Sequence, residues 1–155
     1  MKHTWALIGF GGMGGWHYQN IKDRLPEIRT KGAYDIRPEA LKNAEEKGLH
    51  AYSTLEELLN DEEVDLVTIA VPNNFHKDLS IQCLRAGKNV ICEKPVTMNA
   101  AELEEIMAVA KETGKLFSIH QNRRWDKDYR IVKEILDSGV IGKPYFIESR
   151  VQGSR

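Results

Sequence analysis

Two overlapping stretches near the start of the chain decide the fold: Thr4–Phe10 (TWALIGF) and residues 9–14 (GFGGMG). The first is apolar at consecutive rather than alternate positions, which is typical of a strand buried on both faces of a parallel sheet. Apolar residues then recur near helical spacing from Met13 to Leu25, and Pro26 marks the predicted end of that helix. The sequence therefore predicts a buried strand, a glycine turn and a helix in direct succession.

Further along the chain, strands and helices alternate and are joined by short links that contain Gly or Pro. The further predicted strands are Ala33–Ile36, Ala51-Tyr52, Val64–Val71, Asn89–Cys92, Leu116–Ile119 and one that begins within Pro144–Val151. The further predicted helices are Pro38–Lys47, one opened by Ser53 or Thr54 and running through Leu59, one around Phe75–Ala86, one capped by Asn99 and ending at Gly114, and Asp126–Ser138. This alternation predicts an α/β protein with a Rossmann-type, doubly wound parallel sheet that carries helices on both faces.

The composition excludes several functional classes. The 155 residues are 41% hydrophobic and 29% charged, as in a globular domain. The 22 Lys and Arg against 23 Asp and Glu argue against binding to nucleic acid, which usually needs a basic surplus. No apolar run approaches the roughly 20 residues of a membrane span, and the first residues lack a signal-peptide pattern. We expect a cytoplasmic protein with neither a nucleic-acid nor a membrane partner.

The glycine turn has the spacing GxGxxG, directly after a strand and at the opening of a helix. Gly9 permits a tight turn, Gly11 leaves room for a pyrophosphate, and Gly14 lets the helix pack closely on the strand. The free N–H groups and the positive dipole end of the helix favour phosphate binding. This context predicts a dinucleotide site, although the same glycines also fit an ordinary turn that binds nothing.

Asp35 follows the glycine turn by 21 residues, near the end of the second predicted strand. An acidic residue at that place accepts hydrogen bonds from the adenosine ribose hydroxyls, and it repels a ribose 2′-phosphate. Arg37 lies two residues on and could still pair with such a phosphate. The sequence therefore favours NAD over NADP as the cofactor.

Three polar clusters follow other predicted strands, at the sheet edge where ligands of parallel sheets bind. In Glu93-Lys94-Pro95, Lys94 could polarise a substrate oxygen or relay its proton, and Glu93 could hold the lysine ammonium. The alternative is a solvated surface turn.

The second cluster is Pro72-Asn73-Asn74-Phe75-His76, where His76 could donate to a phosphate or ribose oxygen. Alternatively, one of the two asparagines simply caps the next helix. The third is His120-Gln121-Asn122-Arg123-Arg124-Trp125, whose cationic side chains suit a polyhydroxylated or anionic substrate. Alternatively, its arginines pair with Asp126 or Asp128.

The remaining histidines and cysteines indicate no further chemistry. His3, His17 and His50 lack companions at metal-ligand spacing, and Cys83 and Cys92 alone make neither a disulfide framework nor a zinc site. Cys92 lies inside a predicted strand and is expected in the core. We expect no metal site.

Taken together, these motifs resemble the N-terminal domain of the Gfo/Idh/MocA family, named after glucose–fructose oxidoreductase, inositol dehydrogenase and a rhizopine-catabolism protein. The resemblance runs essentially from end to end of the chain. It is carried in order by residues 6–17 (ALIGFGGMGGWH), 52–59 (YSTLEELL), 64–76 (VDLVTIAVPNNFH), 86–99 (AGKNVICEKPVTMN) and 120–126 (HQNRRWD).

The resemblance implies an NAD(P)-dependent oxidoreductase that acts on a CH–OH group of a sugar, inositol or similar polyol. It implies that Lys94 is catalytic and that Arg123 and Arg124 are candidate substrate contacts. The implied cofactor-binding residues are Gly9, Phe10, Gly11, Gly12, Met13, Gly14, Asp35, Arg37, Val71, Pro72, Asn73, His76, Glu93, Lys94 and Asn122.

Members of this family are typically longer and carry a second α/β domain that supplies substrate and oligomer contacts. We therefore expect residues 1–143 to form the NAD(P)-binding domain and residues 144–155 to begin that second domain. The longer form is expected to be a homo-oligomer, and the 155 residues alone to bind cofactor without completing the active site. The alternatives are a stand-alone NAD-binding sensor or scaffold without catalysis, and self-association through the apolar stretch at Pro144–Arg155.

Overall fold

The structure is a computed structural model that describes residues 3–150. These residues form two compact units that divide after His120, so the predicted domain boundary at residue 143 lies inside the second unit. In the described part of the chain, no helix has both the length and the apolar character needed to cross a membrane.

The first unit alternates strands and helices in the order that the sequence predicts. Its strands are β1 (His3–Ile8), β2 (Ile28–Tyr34), β3 (His50–Ala51), β4 (Leu66–Ile69), β5 (Asn89–Cys92) and β6 (Phe117–Ile119). Its helices are α1 (Gly12–Arg24), α2 (Pro38–Glu46), α3 (Leu55–Asn60), α4 (His76–Arg85) and α5 (Ala100–Thr113), with a 3-10 turn at Asn73–Phe75.

The six strands form one parallel sheet in the order β3-β2-β1-β4-β5-β6. This is the order of the doubly wound dinucleotide-binding fold, in which the chain reverses direction across the sheet between β1 and β4. The predicted fold class is confirmed. The carboxyl ends of β1, β2, β4, β5 and β6 therefore meet at one edge of the sheet.

Each face of the sheet carries its own hydrophobic core. Along β1, Trp5 and Leu7 join the cluster under α1 and α2, whereas Ala6 and Ile8 join the one under α3, α4 and α5. All four side chains are at most 1% exposed. Consecutive apolar residues are needed here because alternate residues of a strand face opposite sides of the sheet.

Two helix starts form as the capping signals predict. The Thr54 hydroxyl accepts a hydrogen bond from the Glu57 N–H at the start of α3. The Asn99 amide oxygen accepts from the Glu102 N–H at the start of α5. Each glutamate also bonds back to a backbone N–H just before the helix, those of Ser53 and Met98. These donors would otherwise lack partners at a helix N-terminus.

Strand β2 begins at Ile28, five residues before the predicted Ala33, and it ends before Ile36. The stretch Arg29–Lys31 is polar and shows no apolar pattern, so its strand character comes from pairing with β1 rather than from composition.

The second unit contains a 3-10 turn at Asn122–Trp125 and helix α6 (Lys127–Ser138), which is followed by Gly139 at φ +70°. The predicted strand at Pro144–Val151 is wrong for residues 144–150, which form no strand. A strand needs a neighbour for its N–H and C=O groups, and within residues 3–150 none pairs with this segment. Val151 lies outside the described residues.

We predict that Gly14→Ala destabilises the first unit by about 1–3 kcal/mol, because close packing leaves no room for a methyl group. A Cβ on Gly14 would lie 2.1 Å from the Gly9 carbonyl oxygen, and backbone cannot yield as a flexible side chain can. Gly12→Ala is the matched control, since a Cβ there meets nothing within 4 Å. Urea unfolding measures both; equal stabilities of the two variants would contradict the packing argument.

We also predict that Cys83 and Cys92 resist iodoacetamide in the folded protein at pH 8. Both side chains are fully buried, and burial raises the pKa of each thiol to about 12, so little reactive thiolate is present. Mass spectrometry should detect alkylation only after urea is added. Prompt labelling of either cysteine without urea would show that the core opens readily.

Candidate functional site

The glycine turn is held by backbone contacts at the end of β1. Gly9 has φ +94°, a conformation that side chains disfavour, and its N–H donates to the Tyr34 carbonyl at 2.8 Å. A Cβ on Gly9 would lie 2.5 Å from the Ala70 carbonyl oxygen. By contrast, a Cβ on Gly11 would meet only the Arg37 guanidinium, at 3.5 Å. Gly11 therefore leaves open space beside the turn.

Helix α1 starts in this open space without a side-chain cap. Gly11 occupies the N-cap position, and among residues 3–150 no side chain caps the first helical N–H groups. The exposed side chain of Met13 lies in the same first turn. Uncapped N–H groups and the helix dipole together favour an anion at this end.

A cleft of about 650 Å³ runs along the ends of β1, β2 and β4. Six of the predicted cofactor residues line it: Gly9, Gly11, Asp35, Arg37, Val71 and Pro72. The cleft also takes Phe75, Asp78, Leu79 and Gln82 from the 3-10 turn and α4. Of these, only Phe75 belongs to a predicted strand-end cluster; Asp78, Leu79 and Gln82 were not predicted as site residues, although all three lie in the helix predicted around Phe75–Ala86.

Asp35 is nearly buried and fully engaged by its neighbours. Its carboxylate accepts from the Phe10 N–H at 2.8 Å, from the Arg37 N–H at 2.9 Å, and from the Arg37 guanidinium at 2.9 and 3.0 Å. Burial alone would raise the pKa of this carboxyl, but the hydrogen bonds outweigh burial and hold the pKa below its usual value. Asp35 is therefore ionised at neutral pH.

At the end of β5, Glu93 lies at the centre of a cluster with two histidines. Its Oε1 accepts hydrogen bonds from His17 Nε2 and His120 Nδ1, each at 2.8 Å, and its Oε2 accepts from the Lys94 N–H at 3.1 Å. Burial alone would raise the pKa of Glu93, but these bonds hold it below its usual value. Burial lowers the pKa of His17, so that ring is neutral at pH 7 and donates through Nε2–H.

This geometry corrects two expectations. The Glu93 carboxylate is bound by the two rings and by the Lys94 backbone, and does not hold the lysine ammonium. His17, expected to lack companions, is buried with two of them. The signal was invisible locally because Glu93 lies 76 residues from His17 and 27 from His120. Lys94 itself is exposed beside the cluster.

His76 occupies a different place from the one expected of a phosphate donor. The ring is 1% exposed, and its two nitrogens lie 2.9 Å from the carbonyl oxygens of Val71 and Pro95. It therefore ties the end of β4 to the segment after β5. The helix-capping alternative for the asparagines is wrong, because neither Asn73 nor Asn74 caps α4; the Asn73 amide instead contacts the Met98 sulfur at 3.2 Å.

Asn122, Arg123 and Arg124 lie in the 3-10 turn of the second unit. The Arg123 guanidinium donates to Asp126 at 3.0 Å, which matches the pairing alternative. A cofactor role for Asn122 and substrate roles for the two arginines stay predictions.

A family model described as an oxidoreductase family with an NAD-binding Rossmann fold matches residues 3–121. The chain belongs to this family. It is 45% identical to an NAD-binding protein from Listeria innocua, with a TM-score of 0.88 over 92% of this chain and 42% of that one. It is 27% identical to a scyllo-inositol dehydrogenase from Lactobacillus casei solved with bound NAD(H) and scyllo-inositol, with a TM-score of 0.84 over 92% and 43%.

Among curated relatives, the chain is 32% identical to an NADP(+)-dependent scyllo-inositol 2-dehydrogenase from Bacillus subtilis, over 88% of this chain and 38% of that protein. The chain spans about two fifths of the length of the curated relatives it matches. The family therefore establishes an NAD-binding Rossmann domain of oxidoreductase type.

We predict that Asp35→Asn lowers the free energy of unfolding at pH 7 by about 1.5–3 kcal/mol, as expected for lost hydrogen bonds to a charged group. Because the folded-state pKa of Asp35 is depressed, its contribution is complete above about pH 4 and is lost as the pH falls through that folded-state value. The difference between wild type and variant should therefore shrink on acidification.

Urea titrations between neutral and acid pH measure this difference. Asp23→Asn is the control: Asp23 is exposed and, among the described residues, accepts only from Gln19, so the change should alter stability by less than about 0.5 kcal/mol. If the difference in free energy of unfolding between wild type and Asp35→Asn stays constant down to the lowest pH, the lowered pKa of Asp35 is contradicted.

Proposed function

We propose that this chain is the cofactor-binding part of an oxidoreductase that moves hydride between a nicotinamide and a carbinol carbon of a sugar, inositol or similar polyol. The observation that carries the proposal is one continuous sheet edge. It holds the glycine turn, the cleft and the Glu93-Lys94 pair at the ends of strands β1, β2, β4 and β5. The inositol dehydrogenases among the relatives support the substrate class.

The pyrophosphate is assigned to the turn Gly9–Gly14 and the uncapped start of α1. The N–H groups of Gly12, Met13 and Gly14 begin the helix and supply the donors that phosphate oxygens need. The missing side chain at Gly11 lets the phosphates approach the backbone. The Phe10 N–H is already used by Asp35, so Phe10 shapes the turn rather than donating to the cofactor.

The adenosine ribose is assigned to Asp35 at the end of β2. The Arg37 guanidinium covers the carboxylate, but the Arg37 side chain is 51% exposed and can move aside. The hydrogen bond from the Phe10 N–H would still hold Asp35 in place. A ribose with free hydroxyls then donates to the carboxylate, whereas a 2′-phosphate meets its negative charge. NAD is therefore the proposed cofactor, and a displaced Arg37 offers NADP a weaker mode of binding.

The nicotinamide is assigned to the space between Val71-Pro72-Asn73 and Glu93-Lys94. When bound, the nicotinamide supplies or accepts the hydride. Lys94 would donate a hydrogen bond to the substrate oxygen and stabilise the negative charge that develops on that oxygen. It would also relay the proton of the substrate hydroxyl. Glu93 and His76 would act indirectly, because their contacts fix the backbone on both sides of Lys94.

The rest of the substrate site is assigned to the additional length that the relatives carry. An isolated 155-residue chain should therefore bind NAD(H) and show no appreciable polyol oxidation, because its substrate is neither positioned nor shielded from water. Robust turnover by this chain would overturn that part of the proposal.

The central test is NAD binding by wild type, Gly11→Val and Gly15→Val, measured by isothermal titration calorimetry. Both glycines leave a Cβ free of protein backbone, so both variants should fold; far-ultraviolet circular dichroism checks this. We predict that Gly11→Val loses NAD binding at least about tenfold, a penalty of roughly 1.4 kcal/mol, because its side chain blocks the pyrophosphate. Gly15→Val should bind as wild type.

A parallel titration with NADP should give weaker binding than NAD. Equal NAD affinity in all three proteins would show that the glycine turn does not hold the cofactor. Unchanged turnover of a full-length homologous enzyme after Ala replaces the lysine that corresponds to Lys94 would show that this lysine has no catalytic role.

A further inference from the structure

The proposed hydride transfer gives no direct chemical role to the cluster of His17, Glu93 and His120. The three residues come from α1, the end of β5 and the residue after β6, and the fold alone brings them together. One ligand-capable atom from each lies within 4.8 Å of the other two. We propose that these three side chains form a binding site for a divalent transition-metal cation of the Zn²⁺ type.

The donor set fits this class of ion. Two imidazole nitrogens and one carboxylate oxygen form the His₂Glu set by which proteins hold Zn²⁺ with one position left open for water. Hard ions such as Mg²⁺ and Ca²⁺ prefer sites made entirely of oxygen atoms, so they fit poorly.

The distances require little rearrangement. Each nitrogen lies 2.8 Å from Glu93 Oε1, whereas ligands of a tetrahedral zinc ion stand about 3.3 Å apart when the bonds are about 2.0–2.1 Å long. Each nitrogen would move about half an ångström away from Oε1, and the two nitrogens, which lie within 4.8 Å of each other, would settle at the same spacing of about 3.3 Å, which side-chain torsions can reach. The cation would take the place of the N–H protons that now join each ring to the carboxylate.

The burial of the ligand side chains and the access from solvent also favour binding of a metal ion. The side chains of His17 and Glu93 are only 8% and 6% exposed, so the carboxylate charge is poorly screened by water and attracts a cation strongly. The His120 side chain is 22% exposed and gives the ion a path from solvent. The Trp16 ring lies beside both histidine rings, with centroids 5.4 and 5.6 Å away, and limits their movement.

The chain also contains a natural comparison. His50 and Glu57 form an exposed pair at 3.1 Å, and no third ligand joins them in the part of the chain that the structure describes. Two exposed ligands hold zinc weakly, so this pair should contribute nothing at concentrations that fill the cluster.

The test is a Zn²⁺ titration of the untagged 155-residue chain by isothermal titration calorimetry, with His120→Ala, Glu93→Gln and the control His50→Ala. We expect one saturable site in wild type and in His50→Ala. We expect binding weakened at least about tenfold in the other two, because second-sphere changes alone cost that much in metal sites. His120→Ala should keep its fold since His120 is the most exposed ligand, and circular dichroism verifies this.

Two further readouts separate a metal site from a hydrogen-bonded cluster. Co²⁺ should give the visible absorption of a tetrahedral ion, absent in Glu93→Gln. Zn²⁺ should raise the melting temperature of wild type, because it joins α1 to the ends of β5 and β6 only in the folded state.

Absence of saturable micromolar binding, or binding that survives in both ligand variants, would overturn the proposal and leave the cluster as a hydrogen-bonded structural unit. Neither result depends on NAD, so failure here is distinguishable from failure of the proposed cofactor site.

Discussion

The contact between Gly14 and the Gly9 carbonyl is the constraint on which the rest of the structure depends. No side chain fits between the first turn of α1 and the end of β1, since a Cβ would come within 2.1 Å of the backbone. This contact places the start of α1 at the carboxyl edge of the sheet. The uncapped N–H groups, the open space at Gly11 and the position of His17 one turn later all follow from it.

The same edge then accumulates buried polar groups, because all the parallel strands end there. Each such group is satisfied by a partner from another segment. Asp35 accepts from Phe10, Glu93 accepts from two histidines, and His76 reaches the carbonyls of Val71 and Pro95. Burying an amide without a hydrogen-bond partner costs about 2–7 kcal/mol of folding free energy, and burying an unpaired charge costs more. Because breaking these pairings would carry such a cost, they make the edge rigid as well as polar. A rigid edge is suited to holding an extended cofactor.

The sequence predicted the features that local chemistry dictates. The glycine turn, the caps at Thr54 and Asn99, and the glycines after the helices fixed element types and order, because each acts over only a few residues. Prediction from the sequence failed where pairing with a neighbouring strand decides whether a segment becomes a strand. The polar start of β2 became strand through β1, and the segment 144–150, apolar enough for a strand, formed none without a neighbour.

The residues of the candidate site show the same difference between features set locally and features set by contacts between distant segments. The shared position of Gly9, Gly11 and Asp35 beside the cleft could be predicted, because it follows from backbone conformation and motif spacing. The companions of His17 were not recognisable, because they are brought to it by strand order. His76 was expected at the cofactor because it follows a strand end; that its ring turns inward to two carbonyls depends on the segment after β5.

The two buried carboxylates of this edge show how partner chemistry separates their roles. Asp35 is neutralised by a guanidinium, which is permanently charged, holds its protons and cannot ligate a cation. That carboxylate can exchange partners only with hydrogen-bond donors such as ribose hydroxyls. Glu93 is bound by imidazoles, which can give up a ring proton and present a lone pair instead. Of these two carboxylates, only Glu93 is therefore paired with side chains that can release a proton or ligate a metal ion, whereas Asp35 is paired with a permanent hydrogen-bond donor.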